Sequence, residues 1–404
     1  MEWYDWFVYA AFGLYFAPVF FPSGSQTVQL LNTAAVFAVG FLMRPFGGWL
    51  MGWYADLYGR KPALMVSVVM MSAGSLIIGI TPGYASIGVL APVLLVTARL
   101  LQGLSVGGEY GTSATYLSEM ATPETRGYYS SFQYTTIILG QLLALAVLII
   151  LQQTMSEASL QSWGWRIPFI IGAAGALVAF YLRRGIEETA SFVATTTKGR
   201  KNLTRQLLQH PRAFLTVVGL TMGGTVCYYT FTTYIQKFLV NTAGWTRTDA
   251  TLLSALTLFL YMFLQPIFGA LSDRVGRRPL LIAFGALGSL MTVPFMTILS
   301  GTADFWTAFI VVMLALTVVT CYSSIGAVVK AELFPTEIRA VGVGLPHGIA
   351  ASVFGGTAEY LALWFKQIGH ETWFFWYVTV CVGLSLIVYI KMPDTKTHSA
   401  IREA

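Results

Sequence analysis

An eleven-residue motif occurs twice in this sequence, first as Gly52-Trp-Tyr-Ala-Asp56-Leu-Tyr-Gly59-Arg60-Lys61-Pro62 and again as Gly269-Ala-Leu-Ser-Asp273-Arg-Val-Gly276-Arg277-Arg278-Pro279. Each shared residue is displaced by 217 positions, as from Gly52 to Gly269. A second pattern follows each copy, with a Glu and an Arg seven residues apart: Glu119 and Arg126, then Glu332 and Arg339. The chain is therefore a duplication, which is typical of transporters built from parallel halves.

The composition excludes a water-soluble fold. Of the 404 residues, 56% are hydrophobic and only 10% are charged, whereas a soluble domain has roughly 25% charged residues. The formal net charge of +6 is explained by basic cytoplasmic loops. We therefore expect the protein to lie in a lipid bilayer. We do not expect it to bind nucleic acid.

Long apolar runs between Gly, Pro and charge clusters predict the topology. A helix needs roughly 20 residues to cross a bilayer, whereas barrel strands alternate over roughly ten. These runs are apolar throughout, so the sequence predicts an all-α polytopic membrane protein with twelve transmembrane helices. Their expected bounds are 2–21, 28–54, 62–81, 88–118, 127–152, 165–183, 213–238, 248–271, 279–299, 305–330, 341–365 and 372–391.

The distribution of Lys and Arg predicts the domains and the orientation. The longest break separates six helices from six, so we expect an N-terminal six-helix bundle over 1–183, an interhalf linker over 184–212 and a C-terminal bundle with a short tail over 213–404. Most basic residues fall on one side, which is the cytoplasm of a multi-pass inner (plasma) membrane protein with both termini inside. No basic region precedes the first apolar run, so we expect that run to stay in the mature protein.

The repeated motifs predict a latch at the cytoplasmic end. Glycines permit a tight turn, acidic residues can cap or pair, and the basic residues stay in the aqueous layer. Ion pairs between the halves would form in one conformation and break in the other; simple anchoring of helix ends is the alternative. The candidate gating residues are Gly52, Asp56, Gly59, Arg60, Lys61, Glu119, Arg126, Asp273, Gly276, Arg277, Arg278, Glu332 and Arg339.

Two groups of residues carry a family resemblance over the whole chain. The doubled motif resembles the G-x-x-x-D-x-x-G-R-[KR]-P turns of the major facilitator superfamily. The string Arg99-Leu-Leu-Gln102-Gly103-Leu-Ser-Val-Gly107-Gly108-Glu109-Tyr110-Gly111, with Glu2-Trp3-Tyr4-Asp5, resembles its metabolite:proton symporter family. The resemblance implies two pseudo-symmetric six-helix bundles that work by alternating access.

Arg44 is the clearest candidate for binding substrate. It lies 12 residues before Asp56, about 18 Å from the inner end of its helix at 1.5 Å per residue, where a charge costs at least roughly 2.5 kcal/mol. Its guanidinium can hold a carboxylate through a bidentate fork. A structural ion pair with Asp5 or Glu109 is the alternative.

The resemblance also implies a proton site. In the sugar-porter branch of the superfamily, a first-helix Asp and a fourth-helix Arg form the proton-coupling pair, and Asp5 and Arg99 are the matching positions. A helix cap is the alternative role for Asp5. Glu109, flanked by Gly107 and Gly108, is the rival proton site because close approach of a helix would desolvate it.

Polar side chains in three spans complete the predicted site. Hydroxyls and amides can orient carboxylate and keto oxygens, although interhelical hydrogen bonds explain them nearly as well. Lys330 is a candidate for a second carboxylate, with snorkelling towards the inner surface as the alternative. The predicted substrate-binding residues are Arg44, Arg99, Gln133, Tyr134, Tyr229 and Lys330.

These features, with the resemblance, predict a monomeric proton-coupled symporter that imports a dicarboxylate. The preferred candidate for this substrate is 2-oxoglutarate. Another small metabolite of the family, such as betaine, proline, shikimate or citrate, is the alternative. The four histidines are scattered, and the sequence shows neither a metal-ligand cluster nor a nucleotide-binding loop nor a Ser-His-Asp set. We therefore expect no enzyme, no metal and no cofactor, with protons as the coupling ion.

Overall fold

The computed structural model describes residues 2–58, 60–184, 207, 209–336 and 338–401, and every regular element within these ranges is helical. The described helices form twelve long runs: α1 (Glu2–Phe20), α2 (Gln26–Tyr58), α3 (Arg60–Ile80), α4 (Leu90–Val106 and Glu109–Glu119), α5 (Arg126–Thr154), α6 (Ile167–Arg184), α7 (Pro211–Tyr229, the π-helical turn Thr230–Tyr234 and Ile235–Asn241), α8 (Arg247–Val275), α9 (Arg277–Gly301), α10 (Phe305–Ser323 and Gly326–Glu332), α11 (Arg339–Ala350, the π-helical turn Ala351–Gly355 and Ala358–Gln367) and α12 (Thr372–Lys391).

The runs confirm the predicted all-α membrane fold. Their ends differ from the predicted bounds by at most four residues. Eight of them, namely α2, α4, α5, α7, α8, α9, α10 and α12, contain windows long and apolar enough to cross a membrane. The other four pack against them, as α1 does against α5 and α3 against α4. Most of the predicted linker, 185–206 and 208, lies outside the described residues.

Local sequence signals set several helix ends. Thr246 and Asp304 cap α8 and α10, because their side chains accept hydrogen bonds from the Asp249 and Thr307 amides at 3.1 and 2.7 Å. The hydrogen bonds from Thr307 also hold the pKa of the exposed Asp304 carboxyl below its ordinary value. Gly276 joins α8 to α9 at a φ of 100°, a conformation that favours glycine.

Glycines bring α2 and α4 into backbone contact. A Cβ added at Gly103 would collide with the carbonyl oxygen of Gly40, and one at Gly107 would collide with that of Arg44. Small residues allow this approach between membrane helices. The contact fixes the backbone of Arg44 against α4, so that its long side chain extends from a rigid position.

We expect Gly103→Ala to destabilise the protein. Overpacking costs about 1–3 kcal/mol, and at this position the new methyl meets backbone that cannot move aside. The measurement is the midpoint of thermal unfolding in detergent. Gly301→Ala is the matched control, since an added Cβ there meets nothing within 4 Å. Equal midpoints for the two variants would contradict the tight packing of α2 on α4.

Candidate functional site

Arg44 lies on aromatic rings near the middle of the fold. Its guanidinium carbon is 4.0 Å from the centroid of the Trp6 ring and 3.9 Å from that of Phe41, and the Phe41 ring meets Tyr229 of the other half at 5.1 Å. The side chains of Tyr229 and Tyr134 lie close to the guanidinium. The Nε and Nη2 atoms are buried and have no hydrogen-bond partner among the described residues.

The alternative role of Arg44, an ion pair with Asp5 or Glu109, does not occur within the described part of the chain. The guanidinium is held instead by stacking on aromatic rings and by a side-chain hydrogen bond with Tyr229, while Nε and Nη2 have no partner among the described residues. A buried cation of this kind normally requires a partner charge. Arg44 therefore has the properties of a binding group for an anion.

Lys330 is fully buried rather than directed to the inner surface. Its Nζ donates to the Tyr110 and Tyr322 hydroxyls at 3.0 and 3.3 Å and lies 3.1 Å from His347 Nδ1. The His347 ring stacks on Tyr110, with centroids 3.6 Å apart. Snorkelling, the alternative role of Lys330, is thus wrong, and within the described ranges no carboxylate pairs with this ammonium group.

Both halves of the protein contribute to this polar region. Its hydroxyls and cations surround one site between the halves, and His347 lies within electrostatic range of both Arg44 and Lys330. Two buried cations without acidic partners suit a ligand with two carboxylates. We call this region the central cluster: Arg44, Tyr110 and Tyr134 from the first half, with Tyr229, Lys330 and His347 from the second.

Asp5 and Arg99 are connected through two bridging side chains. The Ser75 hydroxyl donates to Asp5 Oδ1 at 2.5 Å, Gln102 donates to Ser75 at 2.9 Å, and Arg99 donates to Gln102 at 2.7 Å. The direct ion pair that the resemblance implies is therefore not formed in this conformation. Asp5 is 1% exposed and lies in the first turn of α1, so its alternative role at the start of that helix stays a prediction.

Trp6 connects this chain of hydrogen bonds to the central cluster. The Arg99 guanidinium carbon lies 4.0 Å from the centroid of the Trp6 ring, the same distance as that of Arg44. One oxygen of Asp5, Oδ2, has no partner among the described residues. A proton arriving at Asp5 would thus change the charge at one end of the hydrogen-bonded chain whose other end is Arg99.

Two further predicted residues, Gln133 and Glu109, are neighbours along the chain of members of the central cluster. Gln133 is buried on α5 beside Tyr134, and Glu109 is half-buried where α4 resumes after Gly107 and Gly108. Glu109 forms no ion pair within the described residues. The roles of Gln133 in binding and of Glu109 in proton coupling stay predictions.

Charges of the second repeated pattern meet across the halves. Glu119 pairs with Arg339, and Arg126 Nη1 lies 4.0 Å from Glu332 Oε1. These are repeat-related positions, so each half contributes the acid to one pair and the base to the other. We call this end of the molecule the latch end.

Asp273 adds charge-assisted hydrogen bonds at the latch end. Its carboxylate accepts from the Gly127 and Tyr128 amides, both at 2.8 Å, and so caps α5 of the other half. Arg277 donates to Asp273 at 2.7 Å and lies 3.6 Å from Glu332. This network joins the two halves at the latch end in the present conformation.

The other candidate gating residues fall into two groups. Arg278 donates to the carbonyl oxygens of Tyr389 and Ile390 at the end of α12, so it anchors a helix within its own half. The first copy of the motif cannot be compared in the same way. Its Gly59 lies outside the described residues. Gly52, Asp56, Arg60 and Lys61 are described as helical backbone only.

We expect Asp273→Ala to open the latch end. Removal of the carboxylate breaks two bonds to α5 and leaves Arg277 short of a partner, and a hydrogen bond to a charged group contributes about 1.5–3 kcal/mol. Electron-spin distance measurements between labels at the exposed Met120 and Val275 report the separation of the halves. The distance distribution should shift to longer values.

The matched control for this experiment is Asp304→Ala. Asp304 also caps a helix through a backbone amide, but within one half, so the label distances should stay unchanged. The labels require replacement of the three buried cysteines, Cys227, Cys321 and Cys381. An unchanged distribution in Asp273→Ala would mean that this carboxylate does not hold the halves together.

The connecting roles of some residues at the site could not be predicted from the sequence. Ser75 and Trp6 are isolated residues in apolar runs, and Gln102, although it lies in the string that carries the family resemblance, shows no local sign that it joins Ser75 to Arg99. Tyr110 and His347 contact Lys330. These contacts join residues that are far apart in the sequence, so the structure is needed to find them. A grouping of three or more His, Cys, Asp or Glu side chains that could hold a metal is absent from the described residues.

Comparisons with known proteins agree with this arrangement. A family model described as "Sugar (and other) transporter" matches residues 1–212 and 194–402. The chain is 52% identical over 392 residues to the alpha-ketoglutarate permease of Escherichia coli strain K12, covering 97% of this chain and 90% of that protein. It is 34% identical over 359 residues to the citrate-proton symporter of Klebsiella pneumoniae, covering 88% and 80%.

Solved structures show the same fold. The inward-open conformation of the xylose transporter XylE from E. coli matches with a TM-score of 0.76 at 18% identity, over 99% of this chain and 95% of that one. Its partially occluded inward-open form matches with a TM-score of 0.75 at 19% identity, over 98% and 95%. The two-bundle fold and the family resemblance of the sequence are confirmed. The chain belongs to the sugar (and other) transporter family of the major facilitator superfamily.

Proposed function

We propose that the protein is a proton-coupled symporter that imports 2-oxoglutarate. The observation that carries this proposal is the pair of buried cations, Arg44 and Lys330, which come from opposite halves and have no acidic partner in the described residues. A dicarboxylate can engage both at once, and the tyrosine hydroxyls of the central cluster can orient its keto oxygen. The similarity to the alpha-ketoglutarate permease supports the choice of substrate.

Energetics requires a driving ion. Moving a dianion into a cell against an inside-negative potential of about 100 mV costs about 4.6 kcal/mol. Co-transport of two protons cancels this charge. Asp5, linked to Arg99 through Ser75 and Gln102, is the first proton site of the proposal.

The proposed cycle begins with the cavity open to the outside. Protons and substrate bind, the carboxylates engage Arg44 and Lys330, the latch end opens and both ligands leave to the inside. In this proposal the latch end and both termini face the cytoplasm of an inner membrane. The protein works as a monomer without catalysis of a covalent step and without a cofactor besides protons.

The test is uptake of labelled 2-oxoglutarate into proteoliposomes with an imposed inward proton gradient. Gradient-driven accumulation that a protonophore abolishes is the expected result. Betaine, shikimate and citrate serve as competitors. Uptake of one of these, without any accumulation of 2-oxoglutarate, would contradict the proposed substrate while leaving the family assignment intact.

A further inference from the structure

A buried ion pair lies outside both the central cluster and the latch end. Lys237 Nζ of α7 is 2.5 Å from Glu359 Oε1 of α11, and the side chains are only 1% and 5% exposed. Each partner follows a π-helical turn, Thr230–Tyr234 in α7 and Ala351–Gly355 in α11. Such turns recur at functional sites because their hydrogen bonding can change.

The pair faces the other half of the protein. A Cβ built on Gly13 of α1 would lie 3.1 Å from Cε and 3.3 Å from Nζ of Lys237, and the methyl group of Thr33 on α2 borders the same point. Glycine at this position leaves room for the ammonium group at the interface. The ion pair is therefore placed where the two halves move against each other.

One carboxylate oxygen of Glu359 is not used by the ion pair. Its Oε2 is buried and has no hydrogen-bond partner among the described residues, as is also true of Asp5 Oδ2. A carboxylate that lacks a partner on one oxygen can accept a proton there without losing an existing bond. Among the described residues, Asp5 in the first half and Glu359 in the second thus each have a buried carboxylate oxygen that can accept a proton.

The charged and titratable groups around Glu359 come from several helices. Lys237 is in direct contact, and Tyr234 on α7 and Tyr9 on α1 lie within electrostatic range. Arg99 stacks on the far side at 4.5 Å from the Tyr9 ring centroid. The stretch 26–43 of α2 carries no charged residue. The acid next to α12 is Glu371, which directly precedes the first residue of that helix. The Lys237 ammonium is therefore the cation that the carboxylate neutralises directly.

A small cavity lies at the same interface. Its volume is about 10 Å³, which is room for about one water molecule, and Gln141, Thr232 and Gln236 contribute polar groups to its mainly apolar lining. Its wall on α1 includes Ala10, which is three residues, about 4.5 Å along the helix, from Gly13. Polar groups that water can reach therefore lie within one helical turn of the glycine that borders Lys237.

We propose that Glu359 is a second proton site whose protonation frees Lys237 to bind a carboxylate of the incoming dicarboxylate. A proton from the outside water adds to Oε2, the neutral acid releases the ammonium group, and Lys237 then pairs with a carboxylate of the incoming substrate. When the proton leaves to the inside, Glu359 pairs with Lys237 again and displaces the substrate. This inference rests on the proposed function, and with Asp5 it supplies the two protons that balance a dianion.

Glu359→Gln, a mimic of the protonated acid, tests the proposal in proteoliposomes. At zero membrane potential, each coupled proton contributes about tenfold to the accumulation ratio per unit of pH gradient. We expect about 100-fold for the wild type and about 10-fold for the variant. Because the variant carries one net negative charge inward, an inside-negative potassium diffusion potential should lower its accumulation further, and the wild type should not respond.

The control is Glu371→Gln, which removes another acid at the same end of the molecule. Glu371 accepts a hydrogen bond from Thr242 and lies 3.8 Å from Lys366. This variant should accumulate 2-oxoglutarate as the wild type does. If Glu359→Gln does not fold, the double variant Lys237→Met/Glu359→Gln leaves no lone buried charge, and we expect one-proton stoichiometry with weaker substrate affinity. Two-proton, potential-insensitive accumulation in either variant would overturn the inference. A wild type that does not accumulate 2-oxoglutarate would instead overturn the proposed function.

Discussion

Arg44→Gln is expected to weaken 2-oxoglutarate binding about 100-fold, since a hydrogen bond to a charged group contributes about 1.5–3 kcal/mol and each 1.4 kcal/mol is a factor of ten. The guanidinium forms no ion pair with a described acid, so its removal leaves no described buried carboxylate without a partner. The fold should therefore persist while affinity falls. Equilibrium binding of labelled substrate to the purified protein, with the unfolding midpoint beside it, measures both.

Arg166→Gln is the matched control. Arg166 donates only to the carbonyl oxygens of Ser162 and Thr81, away from the central cluster, so the same substitution there should leave affinity within about twofold, as is usual for an exposed contact. Wild-type affinity in Arg44→Gln would exclude this residue from the carboxylate site. A loss of affinity in both variants would point to a general effect of removing an arginine.

The sequence located the charges at the latch end because a duplication preserves local spacing. Glu119 and Arg126 have the same separation as Glu332 and Arg339, and the structure pairs each acid with the base of the other copy. Helix bounds were predictable for a similar reason, since apolar length is a property of consecutive residues. That these contacts act as a gate stays a prediction.

The connections within the site could not be predicted. Which face of α1 meets α3 decides that Ser75 reaches Asp5, and the packing of α10 against α4 decides that Lys330 reaches Tyr110. Helix rotation is set by packing with other helices, and the π-helical turns in α7 and α11 shift it further. Lys237 and Glu359 are 122 positions apart, so nothing local to either predicts that they meet.

Asp5→Asn is expected to remove one coupled proton and to leave the site otherwise intact. Asparagine keeps an oxygen that can accept from Ser75, but it cannot be protonated. The accumulation ratio in proteoliposomes should therefore fall about tenfold per unit of pH gradient. Exchange of labelled for unlabelled 2-oxoglutarate, which needs no net proton movement, should continue. Asp249→Asn, at an exposed helix start, should accumulate as the wild type does.

The accumulation that remains in Asp5→Asn distinguishes the possible proton sites. If Glu359 carries the second proton, the residual tenfold accumulation seen in Asp5→Asn disappears in the double variant Asp5→Asn/Glu359→Gln. Exchange of labelled for unlabelled 2-oxoglutarate survives in the single and in the double variant. If Asp5 carries all of the coupling, Asp5→Asn alone already reduces the protein to an exchanger. Full accumulation in Asp5→Asn, with loss in Glu109→Gln, would instead assign the proton to Glu109. Because proton and substrate sites share Trp6 through Arg99 and Arg44, substrate affinity should also lose part of its pH dependence in whichever variant removes the true site.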